Sequence, residues 1–177
     1  MRTNVETSIE IDAPAALVWS VLLDFDSYFE WNPFVLEIQG LAIPGERLHV
    51  SIRPPGARSM FFKPRVLHVA GGRELRWLGR FFLPGLFDGE HYFRLEPIGD
   101  SRVRFVHGEV FSGLLVGLAN DSLLESIREG FDEMNRAIKR RSESQRASSS
   151  RGNSKRFEAS DILSLSANGS HASLPTW

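Results

Sequence analysis

Six short β-type segments follow one another between residues 34 and 111, and one long amphipathic helix closes the run. The segments are FVLEIQG, RLHVSIR, SMFFKPRVLHV, ELRWLGRFF, EHYFRLE and SRVRFVHGEVF, joined by IPGE, PPGA, AGGR, LPGLFDG and PIGD. Glycine and proline at such joints are what hairpins use, so the run predicts antiparallel pairing in chain order. The stretch DSLLESIREGFDEMNRAIKRR that follows carries Leu124, Ile127, Phe131, Met134 and Ile138 as one apolar stripe. Asn120 or Asp121 is placed to cap it, and Lys139, Arg140 and Arg141 suit its negative C-terminal end. A sheet with one apolar face must bury that face, and this helix is long enough to receive it. The order predicts an α+β fold, a curved antiparallel sheet wrapped around a long C-terminal helix.

Ahead of the run, VETSIEI alternates and predicts a first strand. Asp12 and Pro14 form a helix start, and Val18, Val21, Leu22 and Phe25 recur at helical spacing. Asn32-Pro33 ends helix, because the residue before proline is pushed toward extended geometry. From Ser142 the chain becomes serine-rich, as in RSESQRASSSRGNSKR, and cannot bury enough apolar surface to offset its ordering entropy. The expected organisation is one folded domain over 1–141 and a disordered tail over 142–177. That tail offers only loose patterns: split basic clusters of the nuclear-import kind, and an Arg146-Ala-Ser148 site suited to a basophilic kinase.

Several function classes fall away. The chain has no cysteine, which removes disulfides, thiolate metal sites and cysteine nucleophiles. A net charge of −1 argues against broad capture of nucleic acid. The glycines of AGGR lack the Lys-Ser/Thr of a phosphate loop, so no nucleotide site is read there. No cofactor and no resident metal are expected. The N-terminus lacks an apolar signal-type core, and no apolar run is long enough to span a bilayer, so a cytoplasmic location is expected, with nuclear entry through the basic tail as a lesser option. The oligomeric state stays open.

One strand row is chemically odd. VRFVHGEVF puts Val103, Phe105, His107, Glu109 and Phe111 on a single face, a histidine and a carboxylate among phenylalanines. The neighbouring segments give Leu75, Trp77 and Phe81 on one row and His91, Phe93 and Leu95 on another. A turn centred near Gly99 would pair Leu95 with Val103, Phe93 with Phe105 and His91 with His107, with Glu109 diagonal to His91. A slip of two residues would keep these groups on one face but change their partners. Three readings of His91, His107 and Glu109 stay open: a buried, mutually satisfied cluster, a polar end to an apolar pocket, or an acid–base or two-His-one-carboxylate metal set. Absent ligand, His107 and Glu109 are expected to be satisfied by protein partners.

The segments IDAPAALVW, DFDSYFEWNPF and GFDEMNRAIKRR carry a family resemblance, through Ala13, Pro14, Val18, Trp19, Tyr28, Trp31, Asn32 and Pro33. They resemble the START-like (SRPBCC) superfamily, specifically its polyketide cyclase/dehydrase and lipid-transport branch. The resemblance covers nearly all of 5–141 and implies the helix-grip (Bet v 1/START-like) fold, with an internal hydrophobic cavity between sheet and last helix. Residues expected to line it are Trp77, Phe81, His91, Phe93, Phe105 and His107, with Glu109, Phe111, Leu124, Ile127 and Phe131. The implied function is binding, and carriage, of a small hydrophobic or amphipathic ligand. One alternative is a cyclase/dehydratase-type enzyme using His91, His107 and Glu109 as catalytic acid and base. A second is a protein-interaction module of co-chaperone type. FFLPGLFDGE could form an apolar lip in transient membrane contact, and FSGLLVGL a gate or cover at the cavity mouth.

Overall fold

In the computed structural model the described residues are 2–81, 85–118 and 121–167, with backbone alone at Phe81, Leu118 and 152–167. The elements run β1 (Arg2–Ile11), α1 (Ala15–Leu23), the single turn α2 (Tyr28–Trp31), β2 (Val35–Gln39), β3 (His49–Ile52) and β4 (Met60–Phe62). Then come β5 (Arg65–Ala70), β6 (Glu74–Phe81), β7 (Phe87–Pro97), β8 (Val103–Ser112) and α3 (Asp121–Ala167). The chain divides into two compact units, 1–143 and 144–177.

Pro64 divides what reads in sequence as one strand. Without an N–H it cannot donate to a ladder, and SMFFKPRVLHV breaks there into β4 and β5. These two lie in different sheets, β2-β3-β4 and β1-β8-β7-β6-β5. The expected six-stranded run is therefore seven strands in two sheets. Backbone bonds hold the sheets in sequence around the curve: the Leu48 N–H donates to the Pro64 carbonyl at 2.9 Å, and Glu46 and Val66 are joined at 2.8 Å.

The β7–β8 register is Leu95 to Phe105, Phe93 to His107 and His91 to Glu109. This is the two-residue slip, because the turn centres on Asp100 and closes through Ile98 N–H to Arg102 O at 2.8 Å. The odd row keeps its inward face; its partners change. On the outer face Tyr92 lies across its cross-strand neighbour Gly108, where a Cβ would overlap the phenol ring. Arg76 and Arg94 flank that ring at 4.9 and 5.3 Å, and the phenol donates to Glu6. Glycine here is the space the ring fills.

One capping expectation changes. Pro14, not Asp12, precedes α1, with no side-chain cap; the Asp12 N–H instead donates to Glu143 Oε1 at 2.9 Å. Asn32 does end α2, its Oδ1 accepting from the N–H groups of Phe34 and Val35. Asn120 lies outside the described residues.

Within the first unit α3 presents Phe131, Met134 and Ile138, all fully buried, to the core. The helix does not stop at Arg141; α3 is described through Ala167. Extending an existing helix requires no new nucleus, and Ser148, Ser149 and Ser150 each donate to a carbonyl four residues back at 3.0 Å.

Candidate functional site: an apolar cavity with one carboxylate

A cavity of about 370 Å³ lies in the first unit. Strands β3 and β4 supply Val50, Ile52, Met60 and Phe62, which pair across the sheet and alternate with the outward, exposed Phe61. Trp77 of β6 and Phe111 of β8 form another part of the wall, and Leu123 and Ile127 come from the first turns of α3. Phe34 reaches the cavity because Gly130 of α3 has no side chain; a Cβ there would overlap the Phe34 ring. Leu115 is drawn onto the wall by a strap. The Leu114 and Leu115 N–H groups donate to the carbonyls of Gly85 and Leu86 at 3.1 and 2.9 Å. Gly113 enters this strap at φ +127°, with its Cα so close to the Leu86 carbonyl that a Cβ would collide with it.

His91 and Glu109 are the two ionisable residues on the lining. They face one another across the β7–β8 pair, with His91 Nδ1 3.6 Å from Glu109 Oε2. Behind them a polar chain runs into the core. His91 Nε2 meets His107 Nε2 at 2.9 Å, His107 Nδ1 meets Asn135 Oδ1 at 3.2 Å, and Asn135 Nδ2 donates to Thr7 Oγ1 at 2.8 Å. Because the Asn135 amide nitrogen is spent on Thr7, its oxygen must accept, so His107 carries its proton on Nδ1. His107 Nε2 is then an acceptor, and His91 must place a proton on its own Nε2.

Burial holds His107 well below the usual histidine range, and the neighbouring His91 adds to this; its bonds to Asn135 and to the Phe131 backbone act in the opposite direction. His107 is neutral as a result. It lies stacked on Phe131 at 3.8 Å between ring centroids, and His91 lies stacked on Trp77 at 5.0 Å. The remaining nitrogen of His91, Nδ1, faces Glu109 Oε2 at 3.6 Å.

The residues singled out from sequence separate into three groups. Trp77, His91, Glu109, Phe111 and Ile127 line the cavity. Phe93, Phe105, His107 and Phe131 do not; they are fully buried core, and Leu124 packs against that core. The Phe81 side chain lies outside the described residues, as do Phe82, Leu83 and Pro84 of the apolar lip, whereas Phe87 of the same stretch is on the wall. His107 is satisfied by protein partners as expected from its row. Glu109 differs: among the described residues no hydrogen-bond donor reaches its Oε1, and its Oε2 has only the 3.6 Å contact with His91 Nδ1. The two histidines point their nitrogens at each other at hydrogen-bond distance rather than toward a shared third point, which does not suit joint metal ligation. Among the described residues no group of three His, Cys, Asp or Glu side chains is arranged to hold a metal, and no helix is long and apolar enough to cross a membrane.

Known structures share this architecture. A START superfamily protein from Mycobacterium smegmatis superposes with a TM-score of 0.65 at 20% identity, over 80% of this chain and 98% of that one. The Zhui aromatase/cyclase from Streptomyces sp. R1128 gives 0.64 at 17% identity, over 81% and 94%. Ara h 8.0201 gives 0.62 at 14% identity, over 81% and 99%. No curated protein matches the chain in sequence. At the level of family the match is extensive: residues 2–143 fit the polyketide cyclase / dehydrase and lipid transport family. With its antiparallel strands, long C-terminal helix and START/Bet v 1-like neighbours, the chain belongs to that family.

Proposed function

We propose that the first unit binds a small, largely apolar molecule inside the cavity, with the ligand's polar end against Glu109. The observation that carries this reading is an apolar space of about 370 Å³ whose lining includes a single facing pair of ionisable groups. Ligand pockets combine these ingredients: hydrophobic walls that supply affinity and a few placed polar groups that fix orientation. A protein-interaction module would have no use for an interior space of this kind, so the cavity weighs against that alternative.

The test is binding of a neutral naphthalene-type fluorophore to the purified full chain, with native mass spectrometry run on the same sample. One probe per chain and blue-shifted emission are expected. Val50→Trp, which fills the space from β3, should abolish the signal while leaving the circular dichroism spectrum intact. Absence of binding, or binding that survives Val50→Trp unchanged, would defeat the reading.

One observation favours a second reading, a cyclase- or dehydratase-type reaction. His91 and Glu109 face each other 3.6 Å apart at the cavity wall, and an imidazole beside a carboxyl is the equipment of a general acid or base. His107 is withdrawn from any catalytic role under this reading, because it is fully buried behind His91. Glu109→Gln discriminates the two: it should abolish turnover of a substrate but only weaken binding of a ligand.

A further inference from the structure

The polar chain has a direction, and the direction specifies the ligand. We propose that the cavity selects a flat apolar molecule carrying a hydroxyl donor, a phenol or alcohol, and discriminates against carboxylates of the same shape. This rests on the ligand-binding reading above and adds to it the class of polar group.

The chain of constraints starts at Thr7. Thr7 fixes the Asn135 amide, Asn135 fixes the His107 tautomer, and His107 takes the Nε2 proton of His91. The Nε2 proton of His91 is thereby spent on His107, and its Nδ1 faces Glu109 Oε2 at 3.6 Å rather than open cavity. Glu109 Oε1 is different. It lies directly over Gly89, where a Cβ would overlap it, and Gly89 and Glu109 both line the cavity. A side chain at position 89 would displace the carboxylate; glycine leaves it room.

Oε1 is an acceptor both in a carboxylate and as the carbonyl oxygen of an acid protonated on Oε2, so in either form it accepts from a hydroxyl and itself offers no proton to a carboxylate. A ligand carboxylate would set its lone pairs against those of Oε1 in a setting of low polarity, where such opposition is poorly screened. The surrounding rings, Trp77, Phe87 and Phe111, favour a flat partner.

Three probes of matched shape test this at pH 7: 2-naphthol, 2-methoxynaphthalene and 2-naphthoate, each titrated into the full chain by calorimetry. The expected order is naphthol about tenfold or more tighter than methoxynaphthalene, a hydrogen bond's worth, with naphthoate weakest. In Glu109→Leu the preference for naphthol over methoxynaphthalene should fall to about twofold or less, while methoxynaphthalene itself still binds. Naphthoate binding as tightly as naphthol in the wild-type chain would overturn the proposal, as would a hydroxyl preference that survives Glu109→Leu. If methoxynaphthalene binds and no hydroxyl preference exists, the ligand class fails while the cavity reading stands. If none of the three binds, the cavity reading fails and this one with it.

Discussion

Lowering the pH should destabilise the first unit through His107 before any carboxylate is involved. Burial among Phe93, Phe105 and Phe131 keeps its folded-state pKa well below the ordinary histidine value, so the native protein leaves it neutral. In the unfolded chain the same imidazole takes up a proton near pH 6.5. Between these two values the unfolded state binds one proton more than the native state, so stability is fully present above pH 6.5 and is lost as pH falls below it. The slope for one proton is about 1.4 kcal/mol per pH unit, and from pH 7 to pH 5 the loss is about 2 kcal/mol. The groups facing His107 are His91 from β7, Phe131 and Asn135 from α3, and, through Asn135, Thr7 from β1. None of them carries an anion in contact with the ring that could rescue the charged form.

The assay is urea denaturation followed by tryptophan fluorescence at pH 7, 6 and 5, for the wild type and for His107→Gln. Glutamine can keep one hydrogen bond but cannot titrate, so it should be less stable at pH 7 by about 1–3 kcal/mol. Between pH 6 and 5 its stability should fall about 1.2 kcal/mol less than that of the wild type. Parallel pH profiles would overturn this prediction, because they would mean that His107 is protonated in the native state or is not buried.

Three other outcomes are expected. Ser142 is fully buried and its Oγ finds no partner among the described residues, so Ser142→Ala should raise stability by about 1 kcal/mol and the melting temperature by a few degrees. Gly130→Ala should gain helix propensity of about 1 kcal/mol yet lose more by forcing the Phe34 ring toward the cavity; urea melts should show a net loss of about 1–2 kcal/mol, and the fluorophore should bind several-fold more weakly. Finally, burial raises the pKa of both tyrosines, Tyr28 far above its usual value and Tyr92, with a further push from its bond to Glu6, to about 12. Absorbance at the tyrosinate band should therefore stay absent in the native protein at pH 10.5 and appear at once when urea is added; stability is whole below about pH 10 and declines above it as the unfolded phenols ionise.

The alternation of VRFVHGEVF was enough to place His107 and Glu109 inward, because a period of two survives any even slip in register. It could not say which histidine met the carboxylate. That depended on whether the turn centred on Gly99 or Asp100, a difference of one residue in a stretch where both are good turn formers. The core stripe of α3 was legible from its spacing, but the division between core and cavity along that stripe was not. Part of the cavity wall comes from β3 and β4, whose inward rows, Val50 with Ile52 and Met60 with Phe62, do alternate in sequence. Those rows were readable in principle. Their meeting with Trp77 and Ile127 was not, since it follows from the break at Pro64 and from the bulges between Val35 and Glu37 and between Val66 and His68.

The helix that closes the fold performs two tasks at different heights. Leu123 and Ile127 touch the empty space, while Phe131, Met134 and Ile138, one to four turns further on, carry packing that the unit cannot lose. Evolution, or a protein engineer, can therefore vary the first two positions to reshape what the cavity accepts at little cost in stability. The helix offers a specificity dial whose shaft is anchored elsewhere, and libraries confined to positions 123 and 127 should yield folded proteins with altered ligand ranges.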